Sequence, residues 1–213
     1  MLAGVLSGCA GGSTTPKASA TPSASASTYT GPPSVLPVPG SEVTLSTGPA
    51  PWLPPAVIGN GKDSAAYVAA AGLPYDVEML QVHYHAHLDI NVDGKPVAVP
   101  PYLGFVTQGR NVAGLAPLHT HDSSGIIHIE NNVPANFLLG QVFVEWGVRL
   151  TATCVGGYCV DATHELAVFV NGTRYSGDPS RIVLAKHQEI AIEYGGKGKL
   201  PPPPTTYVFR NGL

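Results

Sequence analysis

Apolar and polar residues alternate without a break from Leu80 to Asp93. The even positions are Leu80, Val82, Tyr84, Ala86, Leu88, Ile90 and Val92, and the odd ones are Gln81, His83, His85, His87, Asp89, Asn91 and Asp93. A period of two predicts a β-strand with one face on a core and the other polar. Asp93-Gly94 then supplies a hairpin turn. The phrase Leu88 to Gly94 returns as Leu166-Ala-Val-Phe-Val-Asn-Gly172, so two related β-hairpin units are expected. Arg181 to Leu184 and Glu189 to Tyr194 read as further strands. The period changes at Leu139, Val142, Phe143 and Trp146, which fall on one face of a helix closed by Gly147. A second short helix is expected from Asp63, as N-cap, to Ala71, ended by Gly72 and Pro74. The pattern as a whole predicts a mainly β fold with one or two short helices, a β-rich α+β domain forming a compact sheet or sandwich.

Composition places this domain in the C-terminal three-quarters of the chain. Residues 10 to 40 are mostly Ser, Thr, Ala, Pro and Gly with Lys17 as their one charge, and hold too few large apolar residues to offset backbone entropy by burial. We therefore expect a signal remnant over 1–9, a disordered linker and extended arm over 10–61, and a His-rich β domain over 62–213. The 25 glycines and 21 prolines agree with a turn-rich fold. A net charge of -3 with 12% charged residues offers no basic stripe for nucleic acid. No serine-hydrolase order or phosphate-cradling glycine loop is present.

The three cysteines add a compartment. Leu6-Ser7-Gly8-Cys9 is similar to the lipobox of bacterial lipoproteins, in which Cys9 would be acylated and become the mature N-terminus. Met1 to Leu6 is short for an export signal and carries no Lys or Arg, so the translation start is expected upstream. In an exported protein the remaining pair, Cys154 and Cys159, reads as a small disulfide loop turned by Gly156 and Gly157. The expected location is the outer face of the cell membrane, with the membrane contacted through the lipid alone.

The candidate chemistry is histidine. Six of the eight histidines lie between positions 83 and 128. On a strand, His83, His85 and His87 share a face, with alternate Cβ atoms roughly 6.5–7 Å apart. A metal ion with bonds of about 2.0–2.1 Å to nitrogen can bridge neighbours in such a row but seldom all three. Leu118-His119-Thr120-His121-Asp122 supplies a second pair of imidazoles. After the turn at Ser123 to Gly125, His128 and Glu130 share one face of another strand. His119, His121, His128 and Glu130 can thus converge across a hairpin, with Asp122 and Glu130 as further ligands or as acceptors for free imidazole nitrogens. His164 and His187 stand alone and are expected to be ordinary polar residues. Imidazole ligands favour Cu²⁺ or Zn²⁺ over calcium or magnesium.

At these residues the chain resembles a family of uncharacterised exported bacterial and archaeal proteins. The resemblance rests on His83 to Leu88 ahead of Asp93-Gly94, on Leu118 to Glu130, and on Leu139-Gly-Gln-Val-Phe-Val-Glu-Trp-Gly147. It extends over about residues 63 to 213 and implies an exported compartment and a histidine site, with no established activity. Family members often carry a cysteine shortly before the H-T-H-D segment, where this chain has Val112 to Pro117. Three functions fit the residues: a surface-anchored lipoprotein that captures or handles Cu²⁺ or Zn²⁺, a metal-dependent hydrolase or oxidoreductase with a three-histidine site and a carboxylate base, and a structural domain with a closed metal site. The number of protein ligands per ion separates them.

Overall fold

The computed structural model describes Met1 and residues 43–55, 62–76 and 81–213. Cys9, the expected spacer and Leu80 lie outside the described residues. Within them the protein is a mainly β structure with two short α-helices, the β-rich α+β class expected from the pattern.

The alternating segment forms β1 (Val82–Val92), and the echoed phrase forms β9 (His164–Val170). Each opens a hairpin, with β2 (Lys95–Pro96) and β10 (Thr173–Tyr175) returning antiparallel. Both turns need two residues with positive φ. Asp93 and Gly94 adopt 50° and 74°, and Asn171 and Gly172 adopt 48° and 75°, as a right-twisted hairpin requires.

The two units join in one sheet through β11 (Gln188–Gly196), which runs parallel to β1 and antiparallel to β9. On the other side of β1 lies β6 (Ile126–Asn131), followed by β5 (Leu118–His119), giving the order β10-β9-β11-β1-β6-β5. A separate hairpin of β3 (Phe105–Gln108) and β4 (Asn111–Leu115) lies ahead of β5 in the chain. Cys154 and Cys159 are disulfide-bonded across the small ladder of β7 (Cys154–Val155) and β8 (Tyr158–Cys159).

One face of the sheet carries the core. Ala86, Leu88, Ile90, Leu118, Ile127, Ile129, Ile190 and Ile192 pack with residues of α1 (Ser64–Ala70) and α2 (Leu139–Trp146). Asp63 caps α1 by accepting from the Ala65 amide, and Gly147 ends α2 in the left-handed region. The pattern predicts an amphipathic α2, yet every residue of α2 is buried, Gln141 and Glu145 included. Its outer side is covered in turn: Gln141 Nε2 donates to the Ala71 carbonyl at 3.0 Å, and Trp146 Nε1 donates to the Trp52 carbonyl at 2.9 Å. The arm containing the buried Trp52 thus lies on the domain.

A strand over Arg181 to Leu184 is not formed. Pro179–Arg181 is a 3₁₀ turn capped by Asp178, and Val183 makes one isolated bridge to Leu138. The turn places the Ile182 carbonyl where it accepts from the Leu139 amide at the start of α2.

Candidate metal centre

Strand pairing assembles the histidines. In the β1–β6 ladder His83 stands opposite Glu130 and His85 opposite His128, while in the β5–β6 ladder His119 stands opposite the same His128. Directly paired residues project from the same face of a sheet. His83, His85, His119, His128 and Glu130 therefore emerge together on the face opposite the core.

The ligand atoms form a closed ring. His85 Nε2 lies 3.1 Å from His83 Nε2 and 3.1 Å from His128 Nδ1. Glu130 Oε1 completes it, 3.2 Å from His83 Nε2 and 3.6 Å from His128 Nδ1. Bonds of about 2.0–2.1 Å in a tetrahedral array set ligand atoms about 3.3 Å apart; the His83–His85 and His85–His128 spacings match this, and Glu130 Oε1 stands at the edge of the trio beside His83 and His128. His119 Nε2 reaches the same carboxylate oxygen at 3.8 Å. Two overlapping trios, His83/His85/His128 and His119/His121/His128, each bring three donor atoms within 4.8 Å of one another.

His119 is prepared for such a role. Its Nδ1 is 3.0 Å from the Ala116 carbonyl, which can only accept, so Nδ1 carries the proton and Nε2 presents a lone pair. That Nε2 is buried with no hydrogen-bond partner. A buried acceptor left unpartnered costs about 1–3 kcal/mol, a cost that a coordinated cation removes. Thr120, between the two histidines, is fully buried and fixes the segment: its hydroxyl donates to the Pro100 carbonyl and accepts from the Leu103 amide.

The electrostatics keep these rings neutral, so each has one nitrogen free of a proton. Burial, then the neighbouring imidazoles, lowers His128 to about 3. Burial likewise lowers His85 to about 4, reinforced by the charges of His83, His187 and Lys186. His119 falls to about 4 for the same leading reason, its hydrogen bond to Ala116 opposing the shift. At neutral pH these three are ligands in waiting rather than cations.

The cluster is open on one side. His85 and His119 are buried, His128 is half-buried, and His83 and His121 are exposed. His121 faces His128 with ring centroids 4.5 Å apart, and Phe105 of β3 stands edge-on to both His119 and His121. The site therefore has a buried floor and a rim that solvent reaches.

The other candidates are placed differently. His87 shares the face but is engaged elsewhere: its Nδ1 is 2.8 Å from Glu189 Oε2 and its Nε2 is 2.8 Å from the Ser124 carbonyl. Burial works against its proton, yet the Glu189 hydrogen bond and charge prevail and hold it above its ordinary value. Asp122 accepts from the Ser124 amide at 2.8 Å and shapes the turn, leaving Glu130 as the carboxylate beside the imidazoles. His164 pairs with Asp161 and stacks on Tyr194, and His187 meets the Leu213 carbonyl, so neither joins the ring. Phe105, Ala116 and Glu189 had no signal in the local pattern, because each reaches the site only through tertiary packing. No protein-family model matches the chain, and neither a curated protein nor a solved structure is significantly similar to it.

Proposed function

We propose that this protein binds a transition-metal ion, Cu²⁺ or Zn²⁺, at the histidine cluster, and captures or hands on that metal at the outer face of a membrane. The observation that carries the reading is the ring of His83, His85, His128 and Glu130 donors with the unpartnered His119 Nε2 beside it. Imidazole nitrogen suits both ions. The exposed rim at His83 and His121 supports exchange over a sealed structural site. Cys9 supplies the lipid anchor in this reading, and the exported family that the H-T-H-D segment resembles shares that setting.

The test is metal content and Zn²⁺ titration of the untagged protein. One tightly held equivalent is expected, lost in His128→Ala, which belongs to both trios, and kept in His164→Ala. Equal loss in both variants, or no uptake by the wild type, would sink the site. For the anchor, Cys9→Ser expressed behind a complete export signal is expected to leave the membrane fraction; continued membrane association would overturn it. A metal-dependent enzyme is the second reading, favoured by Glu130 lying beside the donors as a proton acceptor at a solvent-reachable position. Azide that perturbs the visible spectrum of the Cu²⁺-loaded protein would favour it, since a saturated ligand set leaves no place for an added anion.

A further inference from the structure

A second group of donors lies further along the same polar face and uses none of the residues of the ring. Parallel pairing of β1 with β11 sets His87 opposite Glu189, Asp89 opposite Ala191, and Asn91 opposite Glu193. Asp89 thus faces the small, fully buried Ala191, with Glu189 and Glu193 two positions to either side on β11. Glu189 and Glu193 are each 1% exposed, and each keeps one buried oxygen, Oε1 and Oε2 respectively, with no hydrogen-bond partner. Their other oxygens are held, Glu189 Oε2 by His87 Nδ1 and Glu193 Oε1 by the Asn91 amide at 2.9 Å. Donor atoms of His87, Asp89 and Glu189 lie within 4.8 Å of one another. Tyr207 stacks on the His87 ring with centroids 3.7 Å apart.

We propose that His87, Asp89 and Glu189 form a second cation site, separate from the histidine ring, that takes a hard divalent ion such as Mn²⁺. Asp89 Oδ2 at 3.8 Å and Glu189 Oε2 at 2.8 Å from His87 Nδ1 set two carboxylates beside one imidazole, with Tyr207 stacked on its ring. Oxygen-rich donors with one nitrogen suit Mn²⁺ better than copper or zinc. The Nε2–H of His87 donates to Ser124, which directs Nδ1 at the carboxylates and orients it as a ligand. The cation takes the place of the proton between His87 Nδ1 and Glu189 Oε2, and that proton leaves to solvent.

The experiment is Mn²⁺ binding to the full chain, read as loss of the free-ion electron paramagnetic resonance signal, for wild type, Asp89→Asn and His121→Ala. The Asp89 side chain is 44% exposed, so its replacement leaves packing intact. One bound equivalent is expected in wild type and in His121→Ala, with affinity at least tenfold weaker in Asp89→Asn. No uptake at millimolar Mn²⁺, or equal affinity in wild type and Asp89→Asn, would overturn the second site. Zn²⁺ titration of the same variants reports the histidine ring separately: Asp89→Asn should leave it unchanged, so the failure of one site does not masquerade as failure of the other.

Discussion

Glu145 sits in the interior helix α2 with both carboxyl oxygens buried and unpartnered. Burial alone pushes its pKa well above the usual carboxylate value, so the folded protein holds it neutral where the unfolded chain would release the proton. An unsatisfied buried polar group costs about 1–3 kcal/mol. The proton adds a pH-dependent cost. Above its ordinary pKa near 4.5 the unfolded state binds fewer protons than the folded one, so stability falls as pH rises, by up to about 1.4 kcal/mol per unit. Methionine has a similar length, needs no hydrogen-bond partner and adapts its shape to the space. Glu145→Met is therefore expected to stabilise the protein by about 1–3 kcal/mol at pH 5, with a larger gain at pH 6 and 7. Urea unfolding followed by tryptophan fluorescence measures it directly, since Trp146 is the next residue. A variant that is less stable than wild type, or a gain that does not change with pH, would show that Glu145 has a partner and refute the reasoning.

Two further outcomes follow from the site. Gly104 adopts φ 70°, and a Cβ there would overlap the Leu118 carbonyl and press on His119, so Gly104→Ala should shift β5. The left-handed conformation alone costs about 1–2 kcal/mol, and Zn²⁺ titration should show weakened binding although no ligand has been removed; unchanged affinity would mean that β5 tolerates the displacement. In the metal-free protein the contribution of the buried imidazoles to stability should fall as pH drops from about 6.5 towards 4. His85, His119 and His128 have folded values below that of a free imidazole, so at these groups the unfolded state binds more protons in this window. Glu145, Glu189, Glu193 and His87, all raised, slope the other way. Urea unfolding in chelator at pH 7 and pH 5 therefore compares wild type with His128→Ala: the variant should lose less stability on acidification, and an equal change in both would refute the reasoning.

Local pattern carried much of the fold because its causes are local. Strict alternation put His83, His85 and His87 on one side of β1, and the Asp-Gly and Asn-Gly dipeptides set the hairpin turns through their positive φ. The Asp63 cap and Gly147 marked helix ends for the same kind of reason. Tertiary structure decided what those faces meet. Alternation predicted a polar face for β1, but not that His85 and His87 would be buried on it; that follows from pairing with β6 and β11 and from the return of Tyr207. The three β1 histidines look equivalent in sequence, yet His85 meets His128 while His87 meets Glu189, 102 residues away. The choice is one of strand register between distant segments, and register depends on which partner buries each face, a quantity that no window of neighbouring residues contains. The sequence by itself determined the donors and their common side; only the sheet order determined which of them stand around one point.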